Sequence, residues 1–359
     1  MIPVFFAINN SYFPQVETTI VSILENSGED FEFLILIDSP NSNSVEGLRN
    51  FVGKKYGKRA LITIIDMHSC VPKIKKLIKA DGRGPLPIET YFRLFIPQLS
   101  HYCSKVIYLD ADLIVEDDLG KLFACDLKNY SLGAVVDPGI KKLVNEDAAT
   151  PNWYKERTLQ KYISDYLKVD PSRYFNAGVL LMDIEKIKKY KLDEEIFNVA
   201  NKYSPFIYHD QDILNKGFAD NVLPLDPRWN SFPFYRSGTF KDAESDVLYQ
   251  KCNTEPKIIH YAGKSKPWRP QEMGQRFSTW WIYYMNTSFA SLGDKDKLEE
   301  LERIEDKYAK YKKFFTVNLF NVKFHLFREN FSYRFMMNER CLLKRTIRVG
   351  DLFKKRFVN

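Results

Sequence analysis

The chain has 359 residues and a mass of 42.2 kDa, with 45% hydrophobic and 28% charged residues. This composition excludes a disordered or low-complexity chain, and no apolar run reaches the roughly 18–20 residues that a membrane-spanning helix needs. The net charge is +7, but the segment Tyr311–Asn359 holds 12 Lys and Arg against 3 Asp and Glu. The tail therefore carries +9 and the rest of the chain −2, which argues against a body that binds nucleic acid.

Short apolar runs alternate with stretches of helical periodicity, which predicts an α/β fold. A polar turn, Asn9–Ser11, and a helix through Val16–Leu24 follow the first run. Neither GxGxxG nor GxxxxGK[ST] occurs, which argues against a dinucleotide fold or a P-loop. Seven strands are expected in chain order: Ile2–Ile8, Phe31–Ile37, Leu61–Ile65, Lys105–Leu109, Leu132–Val136, Ala177–Met182 and Ile258–Tyr261.

The length and the cysteines bound the organisation and the compartment. Single cores stop growing at about 250–300 residues, so we expect one catalytic domain over residues 1–290 and a tail over 291–359. Five cysteines without CxxC pairs or zinc-ligand spacing indicate a reducing, cytoplasmic setting. The apolar opening Met1–Ile8 lacks a basic flank and is short for a signal peptide, so it is expected to be a buried strand.

Two aspartates follow one predicted strand. Lys105–Leu109 leads into Asp110-Ala111-Asp112, and side chains at i and i+2 of an extended chain point the same way. Two carboxylates that close repel each other unless a cation lies between them. The pair therefore predicts a Mg²⁺ or Mn²⁺ site completed by substrate phosphates, with a solvated turn as the alternative.

Further segments accompany the aspartates in a fixed order. They are Tyr91-Phe92-Arg93-Leu94, Tyr174-Phe175-Asn176-Ala177-Gly178, His209-Asp210-Gln211-Asp212, Leu223–Asn230 and Ile259-His260-Tyr261-Ala262-Gly263-Lys264-Ser265-Lys266-Pro267-Trp268. From Val4 to Trp268 the chain resembles glycosyltransferase family 8, the retaining enzymes that use nucleotide sugars. The resemblance implies a single GT-A type domain, a Rossmann-like mixed sheet that binds a nucleotide sugar, with a helical, basic C-terminal extension.

The resemblance also implies roles for individual residues. Asp110, Asp112 and His260 would bind Mn²⁺, with Mg²⁺ as the alternative ion. The catalytic positions would be Gln211 beneath the anomeric carbon, Asp210 and Asn176 on the sugar hydroxyls, and Arg93 on sugar and phosphate. The UDP-sugar would be bound by Ala7, Asn9, Ser11, Asp110, Ala111, Asp112, Gly263 and Lys266.

Several of these positions have a structural alternative. The family usually has aspartate where this chain has Asn9, and Ser11 could simply shape the turn. Asp212 is expected to orient its loop. Trp229 offers a flat face for a sugar ring, with a core tryptophan as the alternative.

The implied function is transfer of galactose or glucose, with retention of configuration, from a UDP-sugar to a hydroxyl of a cell-surface glycan or lipid-linked oligosaccharide. The alternative is a catalytically silent relative that binds sugar nucleotides or carbohydrate as a scaffold. The residues do not distinguish the two donors, the acceptor, the linkage or the oligomeric state.

The tail has its own pattern. Five phenylalanines fall at helical spacings of 4, 3, 4 and 4, with basic residues between them. This predicts an aromatic, basic helix that attaches the protein peripherally to an anionic membrane; packing on the domain or on a second subunit is the alternative. The five are Phe320, Phe324, Phe327, Phe331 and Phe335.

Overall fold

A computed structural model describes most of the chain in two compact units, Met1–Leu292 and Gly293–Asn359. No helix among the described residues is long and apolar enough to cross a membrane. The described residues are 1–77, 87–100, 102–150, 158–203, 206–233, 243–269 and 276–312, together with the backbone of 316–319, 322–329 and 332–336.

The first unit is built on a seven-stranded sheet of order β3-β2-β1-β4-β7-β6-β8, beside a two-stranded sheet of β5 and β9. All seven predicted strands are present, with bounds shifted by up to two residues; β5 and β8 are additional. The strands are β1 (Ile2–Ala7), β2 (Phe31–Ile37), β3 (Ala60–Asp66), β4 (Lys105–Leu109), β5 (Leu113–Val115), β6 (Leu132–Val136), β7 (Phe175–Asp183), β8 (Val222–Pro224) and β9 (Ile258–His260).

Strand directions bring several polar segments to one edge of the sheet. Strands β3, β2, β1 and β4 pair in parallel, β7 is antiparallel to both β4 and β6, and β8 is parallel to β6. The carboxyl ends of β1, β4 and β6 therefore meet the amino end of β7 at the same edge. Ligands of open α/β sheets bind at this edge.

Two apolar cores cover the two faces of the sheet, because successive side chains of a strand point to opposite faces. Phe5 and Tyr108 belong to one core, whereas Phe6 and Ile107 belong to the other. The helices are α1 (Phe13–Asn26), α2 (Ser42–Tyr56), α3 (Val71–Leu77), α4 (Ile96–Leu99), α5 (Leu119–Phe123), α6 (Pro138–Asn145), α7 (Leu159–Lys161), α8 (Ile184–Lys189), α9 (Leu192–Tyr203), α10 (His209–Gly217), α11 (Ala243–Thr254) and α12 (Phe277–Tyr284).

Helix α1 holds strand β5 in place behind the two aspartates. Its Thr19 hydroxyl donates to the carbonyl of Leu113 at 2.8 Å, and its Ser22 hydroxyl accepts from the backbone N–H of Val115 at 3.0 Å. These buried bonds satisfy backbone groups of β5, which pairs with β9 alone among the strands that the structure describes. The unit also contains short 3₁₀ segments, among them Ile88–Phe95 and Pro227–Asn230, and a π-helical turn, Tyr162–Leu167.

The second unit corrects one prediction. It begins with helix α13 (Leu292–Lys312) and continues with an antiparallel sheet of order β10-β11-β12. Phe324 and Phe327 lie in β11 (Val322–Glu329) and Phe335 lies in β12 (Ser332–Met336), after β10 (Thr316–Leu319), so the expected phenylalanine helix is wrong there. Aromatic and β-branched residues favour strands, and in this segment that preference outweighs the helical spacing of the phenylalanines. Phe320 and Phe331 lie outside the described residues.

Candidate active site

The carboxyl end of β4 brings three candidate metal ligands together. Asp110 follows β4 directly, Asp112 precedes β5, and antiparallel pairing of Leu113 with His260 carries the histidine to the aspartates. The imidazole Nε2 lies 3.2 Å from Asp112 Oδ1 and 3.7 Å from Asp110 Oδ2. The three ligand atoms lie within 4.8 Å of one another, and no other such group occurs in the described part of the chain.

The donor set and its surroundings fit a divalent cation. Asp112 Oδ1 is buried and receives no hydrogen bond, which is costly unless a cation or another donor meets it. Gly178 leaves the space beside the cluster open: a Cβ there would lie 2.4 Å from His260 Cε1 and 2.8 Å from Asp110 Oδ2. Carboxylates suit Mg²⁺ and Mn²⁺, and an added imidazole favours the transition metal.

Two cations already balance the aspartates. Arg93 Nη2 lies 2.9 Å from Asp110 Oδ1, which also accepts a 2.6 Å bond from the Tyr108 hydroxyl. Lys266 Nζ donates to Asp112 Oδ2 and to the carbonyl of Tyr261. Burial would raise the pKa of Asp112, but the ammonium of Lys266 beside it holds that pKa well below its usual range.

Behind the aspartates, Arg93 is fixed on every side. Its Nη1 donates to the carbonyl of Ala177 at 2.7 Å, and its Nε lies 3.1 Å from Asp210 Oδ2. The Thr90 hydroxyl donates to the other Asp210 oxygen at 3.1 Å. Burial raises the pKa of Asp210 even though Arg93 opposes that shift. The arginine is thus shared between the two predicted carboxylates, Asp110 and Asp210.

An amide network occupies the amino end of β7. Gln211 Oε1 accepts from Asn176 Nδ2 and from the backbone N–H of Ala177, both at 3.1 Å. Asp137 Oδ2 accepts from Asn176 Nδ2 at 3.0 Å and from Gln211 Nε2 at 3.1 Å. Its Oδ1 caps helix α6. Both lone pairs of the Gln211 oxygen are therefore in use.

Asp212 is a structural residue, in agreement with the expectation that it orients its loop. It is fully buried and accepts from the hydroxyls of Tyr162 at 2.6 Å and Tyr174 at 2.5 Å. The backbone N–H of Tyr208 adds a third bond at 2.6 Å. Burial outweighs these bonds and raises its pKa to about 6. Together the bonds fix the start of α10, which carries Gln211.

The turn after β1 lies at the same edge. Asn9 Oδ1 accepts from the backbone N–H of Ser11 at 3.0 Å and from its hydroxyl at 2.6 Å, so both residues shape the turn. Ala7 at the end of β1 is half-buried. Tyr12, which follows Ser11, packs edge to face against Trp268, with 6.2 Å between the ring centroids. Burial raises the pKa of Tyr12, and the negative charge of Asp112 adds to this shift.

Two further predicted positions have different environments. Gly263 adopts φ +83°, a left-handed conformation that favours glycine, in the segment leading to Lys266. Trp229 is only 6% exposed and belongs to a core cluster, with Lys257 over its ring at 4.4 Å. The core alternative therefore holds for Trp229, because a sugar ring needs an open aromatic face. Ala111 is buried between the two aspartates.

Sequence reasoning missed two members of this site. Asp137 follows strand β6, so the rule that singled out Asp110 and Asp112 could have found it at the carboxyl end of its own strand. Asn230 ends the quoted segment Leu223–Asn230 and bonds His260 Nδ1 through its Oδ1 at 2.8 Å. No spacing rule signals that contact, because it depends on the 3₁₀ turn Pro227–Asn230 packing against β9.

The chain is similar in sequence to known bacterial glycosyltransferases. Glycosyltransferase GlyF of Streptococcus pneumoniae is 30% identical over 285 residues, 77% of this chain, and the chain spans 60% of GlyF. The lipopolysaccharide 1,2-glucosyltransferase of Escherichia coli is 26% identical over 73% of this chain and 72% of its own length.

Solved structures show the same fold. An active-site mutant of LgtC aligns with a TM-score of 0.64 and 21% identity, over 82% of this chain and all of LgtC. The apo bifunctional glycosyltransferase WbbM aligns with a TM-score of 0.70 and 22% identity, over 84% of this chain and 51% of the WbbM chain. These neighbours have the GT-A type of α/β fold. The family model of Glycosyl transferase family 8 matches residues 3–272, and the chain belongs to that family.

Proposed function

We propose that this protein is a Mn²⁺-dependent hexosyltransferase that moves galactose or glucose from a UDP-sugar to an acceptor hydroxyl with retention of configuration. Family membership supports the transferase class. The observation that carries the metal and donor assignment is the cluster of Asp110, Asp112 and His260, with a buried carboxylate oxygen that receives no hydrogen bond. The bound ion would neutralise charge on the diphosphate leaving group.

The cations of the site have matching roles in this proposal. Lys266 lies against Asp112 and would stabilise negative charge that develops on the diphosphate. Arg93 is buried between Asp110 and Asp210 and would fix the positions of these two carboxylates relative to the donor. Asn176 and Asp210 would contact the sugar hydroxyls. The oxygen and the nitrogen of the Asn176 amide each have two protein partners, so a bound hydroxyl would replace one of these bonds.

Retention through a covalent intermediate needs a carboxylate nucleophile on the far face of the sugar. Gln211 is a poor candidate, since its oxygen already accepts two hydrogen bonds. Asp212 is fully buried and receives three bonds. We therefore favour departure and attack on the same face, in which the protein mainly positions the reactants and stabilises charge.

The acceptor and the location rest on the relatives and on the tail. The name of the Escherichia coli relative points to a lipopolysaccharide glycan, so a cell-surface glycan or lipid-linked oligosaccharide is the proposed acceptor. The excess charge of the tail would attach the protein peripherally to anionic lipid on the cytoplasmic side. The proposed catalytic unit would then meet a membrane-borne acceptor.

A panel of UDP-sugars tests this function. UDP release from UDP-galactose or UDP-glucose with Mn²⁺, lost on addition of EDTA and restored by excess Mn²⁺, is the expected result. Release that is unaffected by EDTA would contradict the metal assignment. No turnover with any UDP-sugar, in the presence of glycan and lipid-linked acceptors, would favour the catalytically silent scaffold instead.

A further inference from the structure

We propose that Asn230 is a positioning residue: its side-chain amide holds the proton of His260 on Nδ1 and thereby reserves Nε2 for the metal. The inference rests on the metal assignment proposed above and extends it to a residue outside the ligand set. It follows from the direction of successive hydrogen bonds, beginning at two groups whose roles cannot be exchanged.

The first step fixes the orientation of Asn176. The backbone N–H of Gly178 donates to Asn176 Oδ1 at 2.9 Å, and a backbone N–H can only donate. On the other side, Asn176 Nδ2 donates to Asp137 Oδ2 at 3.0 Å. The Asp137 carboxylate accepts there and also accepts two backbone N–H groups at the start of α6. Reversing the amide of Asn176 would oppose donor to donor and acceptor to acceptor.

The second step carries this direction to His260. Asn176 Oδ1 is an acceptor, so the Asn230 atom 2.8 Å away must be the donor Nδ2. The other end of the amide, Asn230 Oδ1, then faces His260 Nδ1 at 2.8 Å. An amide oxygen only accepts, and hence Nδ1 carries a proton. The neutral imidazole consequently has its lone pair on Nε2.

That lone pair lies where the candidate metal site needs it. His260 Nε2 faces Asp112 Oδ1 at 3.2 Å and Asp110 Oδ2 at 3.7 Å. Asn230 and His260 are each 2% exposed, so water has little access to replace the Asn230 bond. Groups that hold the second nitrogen of a metal-binding histidine typically contribute about 10–100-fold to metal affinity.

The same amide links two functions of the site. Asn230 lies outside the proposed ligand set, yet its two side-chain hydrogen bonds join the proposed sugar contact Asn176 to the proposed ligand His260. Movement of Asn176 would therefore be transmitted to the metal ligand through one side chain. This makes Asn230 a positioning residue for both halves of the site.

Two variants separate the bonds of Asn230. Asn230→Leu has a similar volume and removes both bonds. Asn230→Asp keeps an oxygen facing His260 but replaces the donor toward Asn176 with an acceptor. Asn221→Leu is the matched control, because Asn221 is a part-buried amide whose Oδ1 accepts from the backbone N–H of Ser131 at 2.6 Å, at the amino end of β6 and thus at the opposite edge of the sheet from the site.

The experiment uses the full chain and has two readouts. Long-range ¹H–¹⁵N NMR of metal-free, ¹⁵N-histidine-labelled protein reports the tautomer of His260, assigned among the five histidines through His260→Gln. Mn²⁺ titrations followed by EPR report metal affinity, and circular dichroism shows whether each variant is folded.

We expect the Nδ1–H tautomer in the wild type and in Asn230→Asp. Mn²⁺ affinity should fall about 10–100-fold in Asn230→Leu, fall less in Asn230→Asp, and stay unchanged in Asn221→Leu. A wild-type His260 with its proton on Nε2 alone would overturn the inference, as would wild-type Mn²⁺ affinity in folded Asn230→Leu. If the wild type binds no Mn²⁺, the metal assignment fails, and the tautomer still decides whether Asn230 orients His260; if Asn230→Leu does not fold, the wild type and Asn230→Asp decide.

Discussion

The two halves of the site differ in how completely their polar atoms are satisfied. On the sugar side, the Gln211 oxygen accepts two hydrogen bonds and both Asp137 oxygens are occupied by protein donors. On the metal side, Asp112 Oδ1 is buried without a hydrogen bond and faces His260 Nε2. The polar atoms of the sugar half have protein partners, whereas the metal half keeps one buried carboxylate oxygen that receives no hydrogen bond. The metal half is therefore the part of the site that is expected to depend on an added ion.

The largest effect is expected from breaking the metal half. Asp112→Ala and Asp110→Ala should each lower transfer by about 10³-fold or more, roughly 4 kcal/mol, with any divalent metal. UDP-release rates with Mn²⁺, Mg²⁺ or no metal provide the measurement. Full activity of folded Asp112→Ala would remove that residue from the metal assignment.

Crowding the same half should cost almost as much. The added methyl of Gly178→Ala would lie 2.4 Å from His260 Cε1, so the imidazole must move away from the aspartates. We expect a loss of about 10²–10³-fold in UDP release together with weaker Mn²⁺ binding in EPR titrations. Gly47→Ala, in open space on helix α2, is the control and should keep wild-type activity.

Asp212, which fixes the start of the helix that carries Gln211, should make the free energy of unfolding depend on pH. Burial raises the pKa of Asp212 to about 6, above its usual 3.8, so the folded state favours the protonated carboxyl. The shift contributes about 3 kcal/mol to the free energy of unfolding. This contribution is fully present below pH 3.8 and is lost as the pH rises through 6. Denaturant unfolding of the wild type and Asp212→Asn between pH 4 and 7 should show a larger loss of unfolding free energy in the wild type, because buried carboxyls such as Asp210, whose pKa is also raised, contribute equally to both proteins. Parallel pH profiles of the two proteins would contradict it.

A smaller loss is expected when the sugar half is altered. Gln211→Ala removes three hydrogen bonds but no reacting carboxylate, so we expect UDP release to fall about 10–100-fold and to remain measurable. Mn²⁺ affinity should fall less than in Asn230→Leu, because Gln211 bonds none of the three proposed ligands and is linked to His260 only through Asn176 and Asn230. Complete inactivity, equal to that of Asp112→Ala, would indicate that Gln211 takes part in the chemistry directly.

The smallest effect per residue changed concerns the second unit. Replacing Lys354, Lys355 and Arg356 with glutamate should weaken binding to anionic vesicles by about 1 kcal/mol or more for each basic side chain removed. Cosedimentation with anionic and neutral vesicles measures the difference. The exposed Lys58, Lys75 and Lys76 of the first unit serve as a matched control. Equal binding of the wild type and both triple variants would contradict attachment through the tail.

How much the sequence predicts depends on whether the signal is local. Buried strands with apolar runs, such as Phe31–Ile37, were predicted with their bounds, and Asp110 and Asp112 followed from strand periodicity. The three-residue strands β5 and β8 have too few residues for a pattern. The phenylalanines of the tail do have a pattern, but it predicts the wrong element, because their helical spacing is outweighed by residues that favour strands.

The rest of the site depends on distant contacts. His260 reaches the aspartates only because β9 pairs with β5, and the family resemblance, rather than any spacing, pointed to it. Asp137 becomes part of the site through the antiparallel pairing of β6 with β7. Asn230 contributes through its amide orientation, which is set by Asn176 and finally by Gly178. Such relations arise when the chain is folded and have no signature in neighbouring residues.

The central claim is that the cluster of Asp110, Asp112 and His260 binds the donor diphosphate through a divalent cation. Calorimetric titration of the full chain with UDP, with Mn²⁺ and then with EDTA, tests this claim most directly. We predict UDP binding to the wild type with Mn²⁺, strongly weakened by EDTA, and little binding to Asp112→Ala under either condition. Equal affinity of the wild type for UDP with Mn²⁺ and with EDTA would contradict the account.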